Sequence, residues 1–460
     1  MNLRQTRLHR ALSTLKTDDP QTPETPSGKD DEVTVLAMLG SLGPALLAAS
    51  QATNEVDDTL RSLAQIYGRP ELKIVTLPTF VLVDDPVGPG AHASVFPTDG
   101  STLSLTQAGE IEHLIHRAAK DRLAPSTVLD EVAGIIAEKP RFGFWVSLFG
   151  HVLLTVGFGL VLNPTYTALP FYVVLGVLIG LIVLLGSRAR TLSLVLPVLA
   201  AFLATGVVGL VADTLVHDNV LRLVAPALAS LLPGLTLTIA AVELTNGQVI
   251  AGASRLGYGF ARLGLLAFGV YVGLVATGAS LDGRSSDERL GSWAPWVGIL
   301  FVSLGYYLYS VAPKRSLPWI LFALAVAYSA QLVGHTLIGA ELSGMIGALV
   351  AVPVIYLVSH LAAAPPPAVM LTCAYWMLVP GAMGFIGLSE AASGSAGATN
   401  TLLQTVGSII AIAIGMVIGT GISRDTGAFA RALHRKNPPR STGAISTRSP
   451  ESAGGQTPKD

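Results

Sequence analysis

From Arg141 to about residue 425 the chain is a succession of apolar runs, each roughly twenty residues long, parted by short stretches of Gly, Pro or charge. Helices of that length cross the hydrocarbon of a bilayer and satisfy their own backbone groups there. The pattern predicts ten membrane-spanning helices, at approximately 143–162, 168–186, 192–212, 223–242, 258–278, 293–311, 317–333, 337–358, 368–388 and 400–422. Residues 31–141 follow shorter periods. Asp31 to Gly68 has helical spacing, with Val35, Leu39, Leu42 and Leu46, then Val56, Leu60 and Leu63. Segments 72–77 and 79–83 read as strands, with turns at Asp84-Asp85-Pro86 and Gly88-Pro89-Gly90 and companion strands at 93–96 and 102–105. Helices at about 108–122 and 125–137 complete a small α+β domain. The apolar run from Val35 to Ala52 holds Pro44 and leads into acidic residues, so a buried helix of that domain is expected there rather than a span. Residues 1–30 and 426–460 are too polar to build a core and are expected to be disordered.

Within the apolar part, Leu231-Leu232-Pro233-Gly234 returns as Leu378-Val379-Pro380-Gly381, and the step from Pro233 to Pro380 is 147 residues. The same step lays five apolar runs on five others, Glu243 on Glu390 and Gly247 on Gly394. Each half holds an odd number of spans, so 142–280 and 281–425 enter the bilayer in opposite senses. Lys and Arg sort accordingly. Twelve lie on one set of flanks, among them Lys139, Arg141, Arg255, Lys314 and Arg315, and three on the other, Arg222, Arg284 and Arg289. Both termini are therefore expected in the cytosol. The expected fold class is an α-helical polytopic membrane protein with ten transmembrane helices as two inverted five-helix repeats, preceded by a small cytosolic α+β domain. Inverted repeats are an arrangement of secondary transporters, whose halves exchange conformations around a central site.

Composition agrees, with 51% hydrophobic residues, 13% charged and 48 glycines, and a mean hydropathy of +0.58. The net charge of −1 provides no basic face, so nucleic acid is not an expected partner. Cys373 stands alone in an apolar run and reads as core. His113 and His116 are three apart on a soluble helix, too few ligands for a metal, and no cofactor is assigned. Neither a phosphate-binding loop of the Gly-x-x-x-x-Gly-Lys-Ser/Thr type nor a Gly-x-Ser-x-Gly elbow occurs, which counts against an ATP-driven pump and against a serine hydrolase. The first twenty residues carry no apolar h-region, so no cleavable signal peptide is expected.

Pro233 and Gly234 in mid-span remove an amide hydrogen and loosen the helix, freeing backbone groups that need a polar cavity or protein partners. Freed amides suit a carboxylate and freed carbonyls an ammonium, with Thr236 or Thr238 left for a side-chain hydroxyl. Glu243 and Glu390 follow their motif glycines by nine residues and are the carboxylates placed to carry a proton or gate the site, Glu243 foremost. Arg255, seven residues before Arg262 on one helix, is placed to pair with Glu243. Asp213, His335 and Glu341 fall near the outer ends of spans, where solvation at the interface is the expected state. Tyr306, Tyr307 and Tyr309, with Trp293 and Trp296, read as interfacial anchors.

The segments Pro233-Gly234-Leu235-Thr236-Leu237-Thr238, Glu243-Leu244, Asn246-Gly247, Gly252 and Arg255-Leu256 resemble the signature of the threonine/serine exporter family, as does Leu378-Val379-Pro380-Gly381-Ala382-Met383-Gly384-Phe385. A cytosolic domain before ten spans also matches the family plan, so the resemblance covers about residues 31–425. Glu243 stands where an aspartate is common in the family and Ala251 where a serine often precedes the glycine. The resemblance implies export of threonine, serine or a similar small amino acid across the plasma membrane, the inner membrane of a bacterial cell. Protons would be the coupling ion, the lipid bilayer is the surrounding partner, and assembly as a homo-oligomer is left open. Candidate substrate-binding residues are Pro233, Gly234, Thr236, Thr238, Asn246, Pro380 and Gly381; candidate proton-coupling or gating residues are Glu243, Arg255, Glu390 and Asp213. An exporter or channel for another metabolite, or a membrane-tethered enzyme with residues 31–141 catalytic, are the alternatives.

Overall fold

A computed structural model describes residues 28–86, 92–98, 100, 102–186, 190–215, 219–279, 289–339, 342–361, 363–378, 380–394 and 398–436. Helix α1 (Gly28–Ala48) is the centre of the α+β domain, with Met38, Leu39, Leu42 and Leu46 buried. A three-stranded antiparallel sheet, β1 (Lys73–Leu77), β2 (Phe80–Asp85) and β3 (His92–Pro97), lies across it in that order. Register pairs Lys73 with Asp84 and Phe80 with Pro97. Gly40 and Gly43 permit the close approach, because a Cβ there would sit 2.2 Å from the Phe96 ring and 2.7 Å from Val81. Around this core pack α2 (Thr53–Ile66), α3 (Leu105–Asp121) and α4 (Pro125–Ala137).

One expected strand is absent. Residues 102–105 alternate like a strand, but Ser104 caps α3: its hydroxyl accepts the Gln107 N–H at 3.3 Å, and the Gln107 side chain accepts the Ser104 N–H at 3.0 Å. Such a reciprocal pair satisfies two amide hydrogens that the first turn leaves open. The expected turn at Gly88-Pro89-Gly90 lies outside the described residues.

The remaining helices are α5 (Phe144–Val161), α6 (Leu169–Gly186), α7 (Arg190–Leu215), α8 (Val220–Ala227), α9 (Gly234–Thr245), α10 (Val249–Thr277), α11 (Ala294–Tyr309), α12 (Leu317–Ile338), α13 (Ser343–Val358), α14 (Pro367–Met377), α15 (Pro380–Ala392) and α16 (Ala398–Lys436). Among the described residues, five helices are long and apolar enough to cross a membrane, and the bent pair α8 and α9 makes a sixth. Shorter apolar stretches, Val195–Leu210, Ala294–Tyr309, Ser343–Val358 and Pro367–Met377, account for the other runs in which the sequence predicts spans. The fourth and ninth predicted spans are each two helices, because each is interrupted at its Pro-Gly.

Helices α5 and α11 cross through glycines. A Cβ on Gly157 would lie 2.6 Å from the Val302 nitrogen, and one on Gly305 would lie 2.6 Å from the Leu154 nitrogen. Small residues let membrane helices approach to backbone contact, where dispersion replaces the hydrophobic drive that lipid cannot supply. The α+β domain docks on the end of this crossing. Leu105 and Thr106 donate their N–H groups to Ser310 and Val311 at 3.0 Å, just beyond the end of α11.

Candidate functional site

The chain between α8 and α9 turns by 62°. Its cause is local: Pro226 and Pro233 cannot donate, residues Ala229–Leu231 tighten into a 3-10 turn, and Leu232 is extended. Pro233 then caps α9, accepting the Leu237 N–H at 2.9 Å. Below it, α9 ends at Asn246 and Gly247, whose φ of 79° puts it in the left-handed region. The second break has the same layout, with α14 ending at Met377, α15 opening at Pro380 and Gly394 at φ 73°. Helix α9 packs on α16 and α15 on α10, so each broken segment lies against the helix that follows the other.

A cavity of about 350 Å³ sits at the first break, at the small end of ligand pockets, which run from roughly 300 to 1,000 Å³. Leu232, Gly234 and Leu235 border it from one half; Trp376 and Met377, immediately ahead of the second break, border it from the other. Its polar groups are Tyr328, Gln331 and His335, spaced along one face of α12, together with Ser343 and Trp376. Both broken segments therefore contribute to one cavity.

Gly234 is the residue of the candidate binding set that lines it. Thr238 is 1% exposed and donates to the Gly234 carbonyl at 2.9 Å, so its hydroxyl fastens the first turn of α9. Thr236 is half-buried on the same turn and is not in the lining. Asn246 is exposed at the opposite end of α9, donating to the Val242 carbonyl at 3.0 Å. Pro380 and Gly381 open α15, and their surroundings lie outside what the structure describes, as do those of the Asp213 side chain and Glu341. Glu390 is half-buried near the end of α15. Tyr328, Gln331 and His335 recur at helical spacing in the sequence, but only His335 stands out there as a titratable group.

Two buried polar clusters lie outside the lining of this cavity. The first centres on His151 of α5, 1% exposed, whose Nδ1 lies 3.0 Å from the Gly176 carbonyl and whose Nε2 lies 2.9 Å from the Ser230 hydroxyl in the turn. Tyr309 stacks edge-on against the imidazole at 5.4 Å between ring centroids, its hydroxyl turned toward Ser230. Tyr306 is buried and Tyr309 half-buried among protein groups, correcting their reading as interfacial anchors. The docked α+β domain covers the end of α11, where the lipid interface was expected.

The second cluster is an ion pair. Glu243, fully buried near the end of α9, lies 3.2 Å from Arg255 Nε, and its Oε1 also accepts the Thr53 N–H at 2.9 Å. Thr53 is the first residue of α2, whose unpaired amides and dipole favour an anion. Arg255 reaches the Gln51 carbonyl at 3.4 Å. A carboxylate in the helical part thereby holds a helix of the α+β domain. A second meeting point lies at Glu112 of α3, whose carboxyl faces the Ala368 N–H at the start of α14.

Among the described residues no group of three or more His, Cys, Asp or Glu side chains has the spacing to hold a metal. The arrangement offers a small mixed-polarity chamber next to a helix break. A family model described as "Putative threonine/serine exporter" matches residues 37–276, from α1 through α10. No curated protein and no solved structure matches the chain.

Proposed function

Because the chain belongs to the threonine/serine exporter family, we propose that it is a secondary transporter carrying threonine- or serine-like amino acids out of the cytoplasm. The family identifies a multi-pass membrane transporter. The finer reading has ten spans as two inverted five-helix halves in the plasma membrane, both termini cytosolic, alternating access and protons as the coupling ion.

The observation that carries it is the single cavity bordered by both broken segments, since a shared chamber at paired breaks is where alternating access requires its cargo site. Gly234 and Leu235 present the amides of a helix start to a carboxylate. The faces of Trp376 and Tyr328 attract an ammonium, and Gln331 and Ser343 offer hydrogen bonds to a hydroxyl. Helix boundaries on either side of Pro233 and Pro380 repeat the 147-residue step, which supports the duplicated halves. With the α+β domain cytosolic, the two polar clusters form the inner gate, and Glu243 and Arg255 are its gating pair; Asp213 and Glu390 then fall at the outer face.

Cells producing the chain should release labelled threonine or serine faster than control cells, with a protonophore abolishing the difference. Unchanged efflux despite confirmed membrane insertion would refute the assignment.

A further inference from the structure

We propose that His151 is the residue that takes up and releases the coupled proton, and that its protonation switches the hydrogen bonds holding the turn between α8 and α9. The inference rests on the transport reading above and assigns the step to a residue outside the family signature.

The neutral state is fixed by its partners. A carbonyl only accepts, so Nδ1, 3.0 Å from Gly176 O, carries the hydrogen, and Nε2 must accept from the Ser230 hydroxyl at 2.9 Å. The Tyr309 hydroxyl is turned toward Ser230 and is free to donate to its oxygen while the Ser230 hydrogen is committed to Nε2. The three groups form a directional chain from Tyr309 through Ser230 to His151. A proton added to the Nε2 lone pair turns that nitrogen into a donor. Ser230 Oγ must then accept from it, and the Ser230 hydrogen swings to the Tyr309 oxygen, so every bond in the chain reverses and no bond to carbon changes.

The surroundings make this reversal consequential. Of the elements packed on this part of α5, α11 presents Tyr309, and α10 places the Arg262 guanidinium near that hydroxyl. Helix α6 presents the Gly176 carbonyl with Gly180 against the ring, and the turn presents Ser230. No carboxylate acts on the imidazole among the described residues. A protonated His151 is a buried charge without a counter-ion, and the Arg262 guanidinium, which acts on the neighbouring Tyr309 and whose Nε lacks a hydrogen-bond partner, adds a second positive charge nearby. Such a state is costly, and moving the turn relieves it. Glu243 differs in already having its charge opposed by Arg255 and its Oε1 bonded to Thr53. Ser230 adjoins the cavity, which Ala229, the residue before it, lines.

The test uses the full chain in proteoliposomes, comparing labelled threonine transport with and without an imposed pH gradient. In the wild type the ratio of the two rates should exceed one; a ratio of one would refute proton coupling and this proposal with it, in the unmutated protein. In His151→Gln the ratio should fall to one whatever the absolute rate, and a wild-type ratio there overturns the proposal while leaving transport intact. Tyr309→Phe decides independently if His151→Gln does not fold or transport. It removes a partner of Ser230 in both protonation states, which do not lose equally, and should shift the pH midpoint of transport, whereas an unmoved midpoint overturns the assignment.

Discussion

Glu112 sits where α3 meets α14, with one oxygen buried and without a hydrogen-bond partner. Burial pushes its carboxyl up to about 7, the nearby Glu55 adding to the effect and the Ala368 N–H opposing it. The folded chain thus keeps a proton that the unfolded chain, at an ordinary value near 4.5, gives up. The sign follows: the contribution to stability is whole below about pH 4.5 and is lost as pH rises through about 7. Glu112→Gln, neutral at every pH, should therefore melt at a higher temperature than the wild type at pH 8 and at the same temperature near pH 4, read by intrinsic fluorescence in detergent. At the cavity, Gln331→Ala should weaken threonine binding by about 1 kcal/mol, a fivefold rise in the half-saturating concentration, if its amide meets the cargo.

The breaks at Pro233 and Pro380 could be read from the sequence because a missing amide hydrogen is a property of one residue. His151 could not. Its partners are Gly176, Ser230 and Tyr309, each from a different segment, and a lone histidine in an apolar run has no local signature. The strand expected at 102–105 failed for a related reason, since Thr-Leu-Ser-Leu has the period of a strand and only the pairing of Ser104 with Gln107 reveals a cap. The glycines of α5 were visible as composition, but that Gly150 and Gly157 meet α11 required the packed helices. Gly157→Val would drive side-chain atoms into the Val302 backbone. Overpacking of this kind costs about 1–3 kcal/mol, so the variant should show a lower melting temperature, while Gly264→Val, with nothing within 4 Å, should melt as the wild type does.

Across the whole molecule, the α+β domain is bound to both broken segments, through Thr53 to Glu243 and through Glu112 to Ala368. Thr53→Pro isolates the first contact. Thr53 is the first residue of α2, where proline fits, and Ala52 at φ −70° and ψ 146° already has the conformation that a following proline demands. The change deletes the N–H that Glu243 accepts and leaves α2 able to form. A cysteine replacing the buried Ala240, in a chain whose native Cys373 is buried, should react faster with a charged thiol reagent applied from the α+β side when Thr53 is proline. Equal reaction rates would show that the contact does not hold the gate.

That contact also bears on when the protein works. If, on the transport reading, the Glu243–Arg255 pair and the Thr53 amide bond shut the chamber from the compartment that supplies the cargo, a molecule that faces it must first give up both. A ligand whose receptive form is scarce binds with an affinity reduced by that scarcity. The carrier would then behave as an overflow valve, idle at ordinary amino-acid levels and engaged when they climb. Loosening the clasp at Thr53 should bring that threshold down.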